Sequence, residues 1–187
     1  MKAEIEKAVE VLHAGGTILY LTDTIWGIGC DPTNPQAIDR VRKVKARGDA
    51  KSMIILLDDV IKLDQYVRKV PDVAWDFLDQ VDTPVTIIYP GAQNLAKNLI
   101  AADGSVAIRI VHDPFCQELI RAFGKPLVST SANLSGDPYP LTFNKINPQI
   151  INTVDYVIRV NLDLVRLTKP SSIVKLGLNG EIELIRP

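Results

Sequence analysis

Cysteine and histidine are scarce, with two of each in 187 residues. Cys30 and Cys116 form neither a Cys-x-x-Cys pair nor a Cys/His spacing. That excludes a disulfide framework and a zinc site of the usual spacing, and it points to two buried thiols in a reducing cytosol. His13 and His112 have no second ligand at a matching interval, so they read as surface residues and no metal site is expected. Long apolar runs are missing as well, and with them any membrane span of roughly 20 residues. No sign of charge dominates: 21 Lys and Arg face 22 Asp and Glu for a net charge of -1, so charge names no partner class. The N-terminal Met1-Lys2-Ala3-Glu4 lacks the basic start and apolar centre of a secretory signal, and the expected location is cytoplasmic.

What is present is the composition of an ordinary globular chain, 47% hydrophobic and 23% charged, long enough to bury a substantial core. Ile5, Ala8, Val9 and Leu12 recur at helical spacing, and Gly15-Gly16 ends that helix before the apolar strand 17–21. Asn34 and Pro35 predict the cap and first turn of a second helix whose inner face is Ile38, Val41 and Val44. The run 53–57 predicts a buried strand. A helix is expected from about Pro71, with Trp75, Phe77 and Leu78 as packing residues without a functional role. Strands are expected over 84–89, 105–111 and 127–130, with a helix between the last two opened by Asp113-Pro114 and closed near Gly124. Asn179-Gly180, between 172–176 and 181–185, signals a hairpin. Helices and strands alternate without repeat or linker, which predicts one α/β domain over 1–187 with a mixed sheet.

Three polar segments interrupt this framework where a strand ends or a helix begins, the usual place for ligands in α/β proteins. Thr22-Asp23-Thr24 follows the first strand; its hydroxyls and carboxylate also suit a turn that satisfies its own backbone. Lys45-Ala46-Arg47-Gly48-Asp49-Ala50-Lys51-Ser52 concentrates three cations, a planar fork and two mobile point charges, as a triphosphate requires. A solvated basic loop at a helix C-terminus has the same composition. Because the segment reads as loop, removing the charge of Lys45 or Arg47 is expected to remove most activity and leave folding intact. Finally, Leu127-Val128-Ser129-Thr130-Ser131-Ala132-Asn133 runs an apolar strand into hydroxyls and an amide suited to phosphate or ribose, or to a plain capping loop. Arg109 adds a cation on a strand, aimed at a site or at an exposed sheet edge.

Lys45-x-Arg47 taken together with Ser131-Ala132-Asn133 resembles the paired signature of the YrdC family of threonylcarbamoyl-AMP synthases. The resemblance continues through Gly15-Gly16, the 22–29 loop, Pro84-Val85-Thr86, Val106-Ala107-Ile108-Arg109 and Pro170-Ser171-Ser172-Ile173, nearly the whole chain. It implies an α/β fold whose twisted sheet and surrounding helices form a positively charged cleft. It also implies a nucleotidyltransferase that joins L-threonine, bicarbonate and ATP into threonylcarbamoyl-AMP and pyrophosphate, with Mg²⁺ carried on the substrate phosphates. A downstream enzyme would transfer the group to tRNA. By the same resemblance, Lys45 and Arg47 are catalytic, and Thr24, Arg109, Ser129 and Ser171 hold threonine. Arg47, Lys51, Ser105, Ser131, Asn133 and Arg186 hold the nucleotide.

The chain departs from the family's pattern at Leu21, where proline is usual, and at Trp26, where Tyr or Phe is commoner. It also departs near Leu56, where some relatives place a histidine that contacts threonine, and at Ser172 of the Ser-Thr-Ile triplet. Ending at Pro187, it resembles the short single-domain form. Two further readings use the same residues: a YrdC-like paralogue without synthase activity, and a tRNA or double-stranded RNA binder working through phosphate contacts. A module of a larger carbamoyl-transfer protein is disfavoured, because no zinc-finger-like or acylphosphatase-like segment flanks the domain.

Overall fold

The computed structural model describes residues 1–45, 53–164 and 169–187. Its helices are α1 (Lys2–His13), α2 (Pro35–Val44), α3 (Leu63–Tyr66), α4 (Asp72–Gln80), α5 (Pro114–Phe123) and α6 (Pro148–Thr153). Its strands are β1 (Ile18–Leu21), β2 (Trp26–Gly29), β3 (Ile54–Leu57), β4 (Val85–Tyr89), β5 (Val106–Ile110), β6 (Leu127–Ser131), β7 (Tyr156–Val157), β8 (Ser172–Leu176) and β9 (Ile182–Arg186).

Local signals end the helices where the sequence indicates. Asn34 accepts hydrogen bonds from the amides of Gln36 and Ala37 with Pro35 in the first turn of α2, and Asp113 accepts from the Cys116 amide above Pro114. Gly124 closes α5 at φ 76°, a left-handed cap that favours glycine. The hairpin joining β8 and β9 exists, but by a different turn: only Gly180 adopts positive φ, the Gly180 amide donates to Gly177 O, and the Gly177 amide donates to Glu181 O. A three-residue loop ending in a left-handed glycine replaces the two-residue Asn-Gly turn.

The strands form one mixed sheet among the described residues, in the order β7-β1-β2-β6-β3-β5-β4-β8-β9. β1–β7, β3–β5 and β4–β8 pair parallel and the remaining neighbours antiparallel. Paired residues on adjacent strands share a face, so the register Gly27↔Ser131, Ile54↔Ser129, Leu56↔Arg109, Ile88↔Ala107 and Thr86↔Ile173 puts these residues on one side of the sheet. The other side carries Ile28, Ile55, Ile87, Ile108, Val128 and Val174, which form the larger core with α2, α4 and α6. On the first side, α1 and α5 cover Ile18, Tyr20, Leu56 and Leu127, with Ile54 and Tyr156 partly buried at the margin. The rest of that face lies beyond those two helices.

Residues 26–29, which the sequence suggests as loop, are strand β2, hydrogen-bonded to both β1 and β6. Its glycines make room. A Cβ on Gly29 would meet the Tyr20 ring and Val128 O at 2.8 Å, and one on Gly27 would meet Ser129 Oγ at 3.0 Å.

Asp155 fastens the segment before β7 to the start of the sheet. Its Oδ2 accepts from the Thr17 amide at 2.7 Å and from Thr17 Oγ1 at 3.0 Å, and its Oδ1 accepts from Arg40 Nη2 at 2.6 Å. Burial alone would raise the Asp155 pKa, but the Thr17 and Arg40 contacts outweigh it and hold the carboxyl below its ordinary value. A depressed carboxyl contributes stability above its unfolded pKa of about 3.9, and that stability is lost as pH falls through the folded value. Asp155→Asn is therefore expected to lower stability by about 1–2 kcal/mol at pH 7. Urea unfolding of both proteins at several pH values should find that gap constant from about pH 5 to 7 and shrinking below about pH 4. An equal gap at about pH 3 would assign the effect to packing.

Candidate active site

The uncovered part of the first sheet face is the floor of a cleft of about 460 Å³, within the range of small-molecule sites. Gly27, Ile54, Thr86, Ile88, Ala107, Arg109, Ser129, Ser131 and Ile173 line it, each on the face that register assigns. Thr24 enters from the β1–β2 turn, and Tyr139, Lys169, Ser171 and Arg186 enter from later segments. Among the described lining residues the charged side chains are Arg109, Lys169 and Arg186, all cationic. Its donor set of guanidinium, ammonium and hydroxyl groups suits an anion.

The four residues that the resemblance assigns to threonine come together here. Arg109 is 4% exposed; its Nη2 lies 3.0 Å from Asp23 Oδ1 and donates to Thr22 Oγ1 at 3.4 Å. The Asp23 contact is close but off-axis, and neither Asp23 Oδ1 nor Arg109 Nε has an aligned hydrogen-bond partner among the described residues. Thr24 Oγ1 lies 3.1 Å from Thr22 Oγ1. The Ser171 and Thr86 hydroxyls share a hydrogen bond of 2.7 Å, and Ser129, buried on β6, completes the wall.

Arg186 donates through Nε at 3.1 Å and Nη2 at 2.7 Å to the Ser171 carbonyl, which holds the end of β9 over the cleft. Desolvation of its guanidinium, and then repulsion from Arg109, lower its pKa from the ordinary arginine value. Two cations are thus close enough to feel each other in a half-enclosed space, and an anion there would relieve both.

Lys45 is not the solvated loop charge that its sequence setting suggests. It caps α2 and is 2% exposed. Its Nζ donates to Ser131 O at 2.6 Å, Ser131 Oγ at 3.2 Å and Asn133 Oδ1 at 3.3 Å, while its own carbonyl accepts from the Ser135 amide. Asn133 Nδ2 donates onward to Leu134 O and Asp137 O. Lys45, Ser131 and Asn133 are therefore one cluster that braces the loop after β6, and of the three only Ser131 lines the cleft. This burial speaks against the expectation that removing Lys45 spares folding.

Ser105 stands apart from the cleft lining and binds Asp103 Oδ1 through both its amide and its hydroxyl. Arg47 and Lys51 lie outside the described residues. Sequence reasoning did not assign Thr86, Tyr139 or Lys169 to the site. A polar Thr86 inside the apolar run of β4 was a usable signal, because every second position of a covered strand should be apolar.

Residues 10–187 match the model of the Sua5/YciO/YrdC family, described as "Telomere recombination". The chain belongs to that family. Among its curated relatives, the threonylcarbamoyl-AMP synthase of Pseudoalteromonas translucida (strain TAC 125) is 35% identical over 184 residues, 97% of each protein. Two solved members share the fold. E. coli YciO superposes with a TM-score of 0.86 at 24% identity over 100% of this chain and 89% of its own. P. abyssi Sua5 complexed with L-threonine gives 0.84 at 21% identity over 94% of this chain, which spans about half (52%) of that longer Sua5 protein. The mixed sheet with helices around the cleft is thus the architecture of the Sua5/YciO/YrdC fold. No helix among the described residues is long and apolar enough to cross a membrane.

Proposed function

We propose that this member of the family is an L-threonylcarbamoyl-AMP synthase that supplies a downstream tRNA threonylcarbamoyl-transfer enzyme. The observation that carries the reading is the convergence of buried Arg109 with Thr24, Ser129 and Ser171 in one cleft beside Arg186. A free amino acid needs a cation for its carboxylate and small polar neighbours for its hydroxyl; Arg109 and the three hydroxyls provide both. The synthase relative, similar across nearly its full length, supports the same reading.

In this scheme the threonine amine and bicarbonate give a carbamate with loss of water. A carbamate oxygen then attacks the α-phosphorus of ATP, and the bond from that phosphorus to the bridging oxygen breaks, releasing pyrophosphate. The chain contributes position and charge, without a covalent intermediate. Arg109 fixes the carboxylate, Arg186 with Arg47 and Lys51 neutralises phosphate oxygens, and Ser131 donates to the nucleotide from a loop that Lys45 and Asn133 brace. The described cleft lining holds no Asp or Glu side chain, and Mg²⁺ would be held by the substrate's own phosphates, where it would supply charge neutralisation. Purified protein with ATP and Mg²⁺ should release pyrophosphate only when L-threonine and bicarbonate are both present. Release without them, or none from folded protein, would overturn the proposal in favour of a paralogue or an RNA binder.

A further inference from the structure

Asp23 does not line the cleft, and the proposed reaction gives it no task. Its side chain is nevertheless only 9% exposed, and it sits in a turn whose shape Thr22 dictates. The Thr22 amide and hydroxyl both donate to Ile25 O, and Thr22 Oγ1 accepts from the Thr24 amide. That turn delivers the Asp23 carboxylate to the rear of Arg109. Oδ1 lies 3.0 Å from Nη2, and Oδ2 accepts from the His112 amide at the end of β5 at 3.4 Å.

One side of the guanidinium is therefore committed to the β1–β2 turn, through Asp23 and Thr22. Arg109 Nε, by contrast, is a buried donor without an aligned acceptor among the described residues, on a side chain that lines the cleft. A buried cation beside a second cation, Arg186, needs a counter-charge in a fixed place, or it turns toward water or toward the nearest carbonyl.

We propose that Asp23 is a positioning residue: it grips Arg109 by Nη2 from behind, so that the remaining donors of the guanidinium stay presented to the carboxylate of a small amino-acid substrate. The inference deepens the proposed function and rests on it for the identity of that carboxylate. The grip itself involves this chain's residues alone.

The test compares wild type with Asp23→Asn in the full chain. Pyrophosphate release should show KM for L-threonine raised at least about tenfold and KM for ATP changed less than about twofold. Independently of turnover, phenylglyoxal labelling of Arg109, followed by peptide mass spectrometry, should be at least about threefold faster in the variant, since its guanidinium is no longer held. Equal rises in both KM values, or an unchanged labelling rate, would overturn the role. If wild type releases no pyrophosphate, the synthase reading fails and the labelling comparison alone decides whether Asp23 holds Arg109. Should Asp23→Asn not fold, Asp23→Glu, which keeps the charge but moves it by one methylene, is expected to shift both readouts in the same directions by smaller factors.

Discussion

Arg109→Ala is expected to lower kcat/KM for L-threonine by about 10²- to 10³-fold, the loss typical of deleting a charge-bearing group from a preorganised site. The same change leaves the Asp23 carboxylate buried without its cation, which costs about 3–5 kcal/mol of stability. Arg109→Lys separates the two effects. It keeps a cation against Asp23 but lacks the planar fork, so its Tm should stay within a few degrees of wild type while kcat/KM still falls by about 10²-fold. Steady-state pyrophosphate assays at varied threonine, together with thermal melts, provide both numbers. A folded Arg109→Lys with the wild-type KM for threonine would remove Arg109 from the amino-acid site.

Lys45→Ala should damage folding and activity together. Nζ serves two oxygens of Ser131 and the Asn133 amide oxygen inside a buried cluster. Hydrogen bonds from a charged donor are worth about 1.5–3 kcal/mol each, and with relaxation a net loss of about 2–3 kcal/mol is expected. For a chain of this size that is a Tm lower by roughly 5–10 °C. Activity should fall by about 10²-fold with a raised KM for ATP, because Ser131 is no longer held in place. Lys45→Arg should not rescue either property, since a planar fork does not reproduce three bonds converging on one nitrogen. A variant with wild-type Tm and lost activity would instead make Lys45 a free phosphate ligand.

The helices were legible wherever a side chain must satisfy an end: Asn34 with Pro35, and Asp113 with Pro114 and Gly124, each fixed a boundary. The strands with apolar runs were legible for a similar reason, since both of their faces are buried near the sheet centre. β2 was hidden because Trp26-Gly27-Ile28-Gly29 reads as a turn. Its glycines answer to Tyr20 and Ser129 on neighbouring strands, contacts that no local pattern carries. α6 has only six residues, too few for periodicity to show. Within the site, residue types were readable from chemistry and from family resemblance. Direction was not: Lys45 looks the same in a sequence whether its ammonium meets water or a facing loop. Asp23 was visible as a carboxylate in a turn, but its partner lies on β5, which is not adjacent to β1 or β2 in the strand order.

The alternation of cleft and core along each strand limits how this protein can change. Insertion or deletion of a single residue within β5 would invert its pattern, driving the Arg109 guanidinium into the large apolar core and presenting Ile108 or Ile110 to the ligand. Length variation is thus confined to the connections, while within β4, β5 and β6 the cleft lining falls on every second residue, with Thr130 the exception. A mutagenesis library meant to alter ligand preference should therefore randomise positions 86, 88, 107 and 129–131 and leave the core-facing neighbours in β4 and β5 fixed.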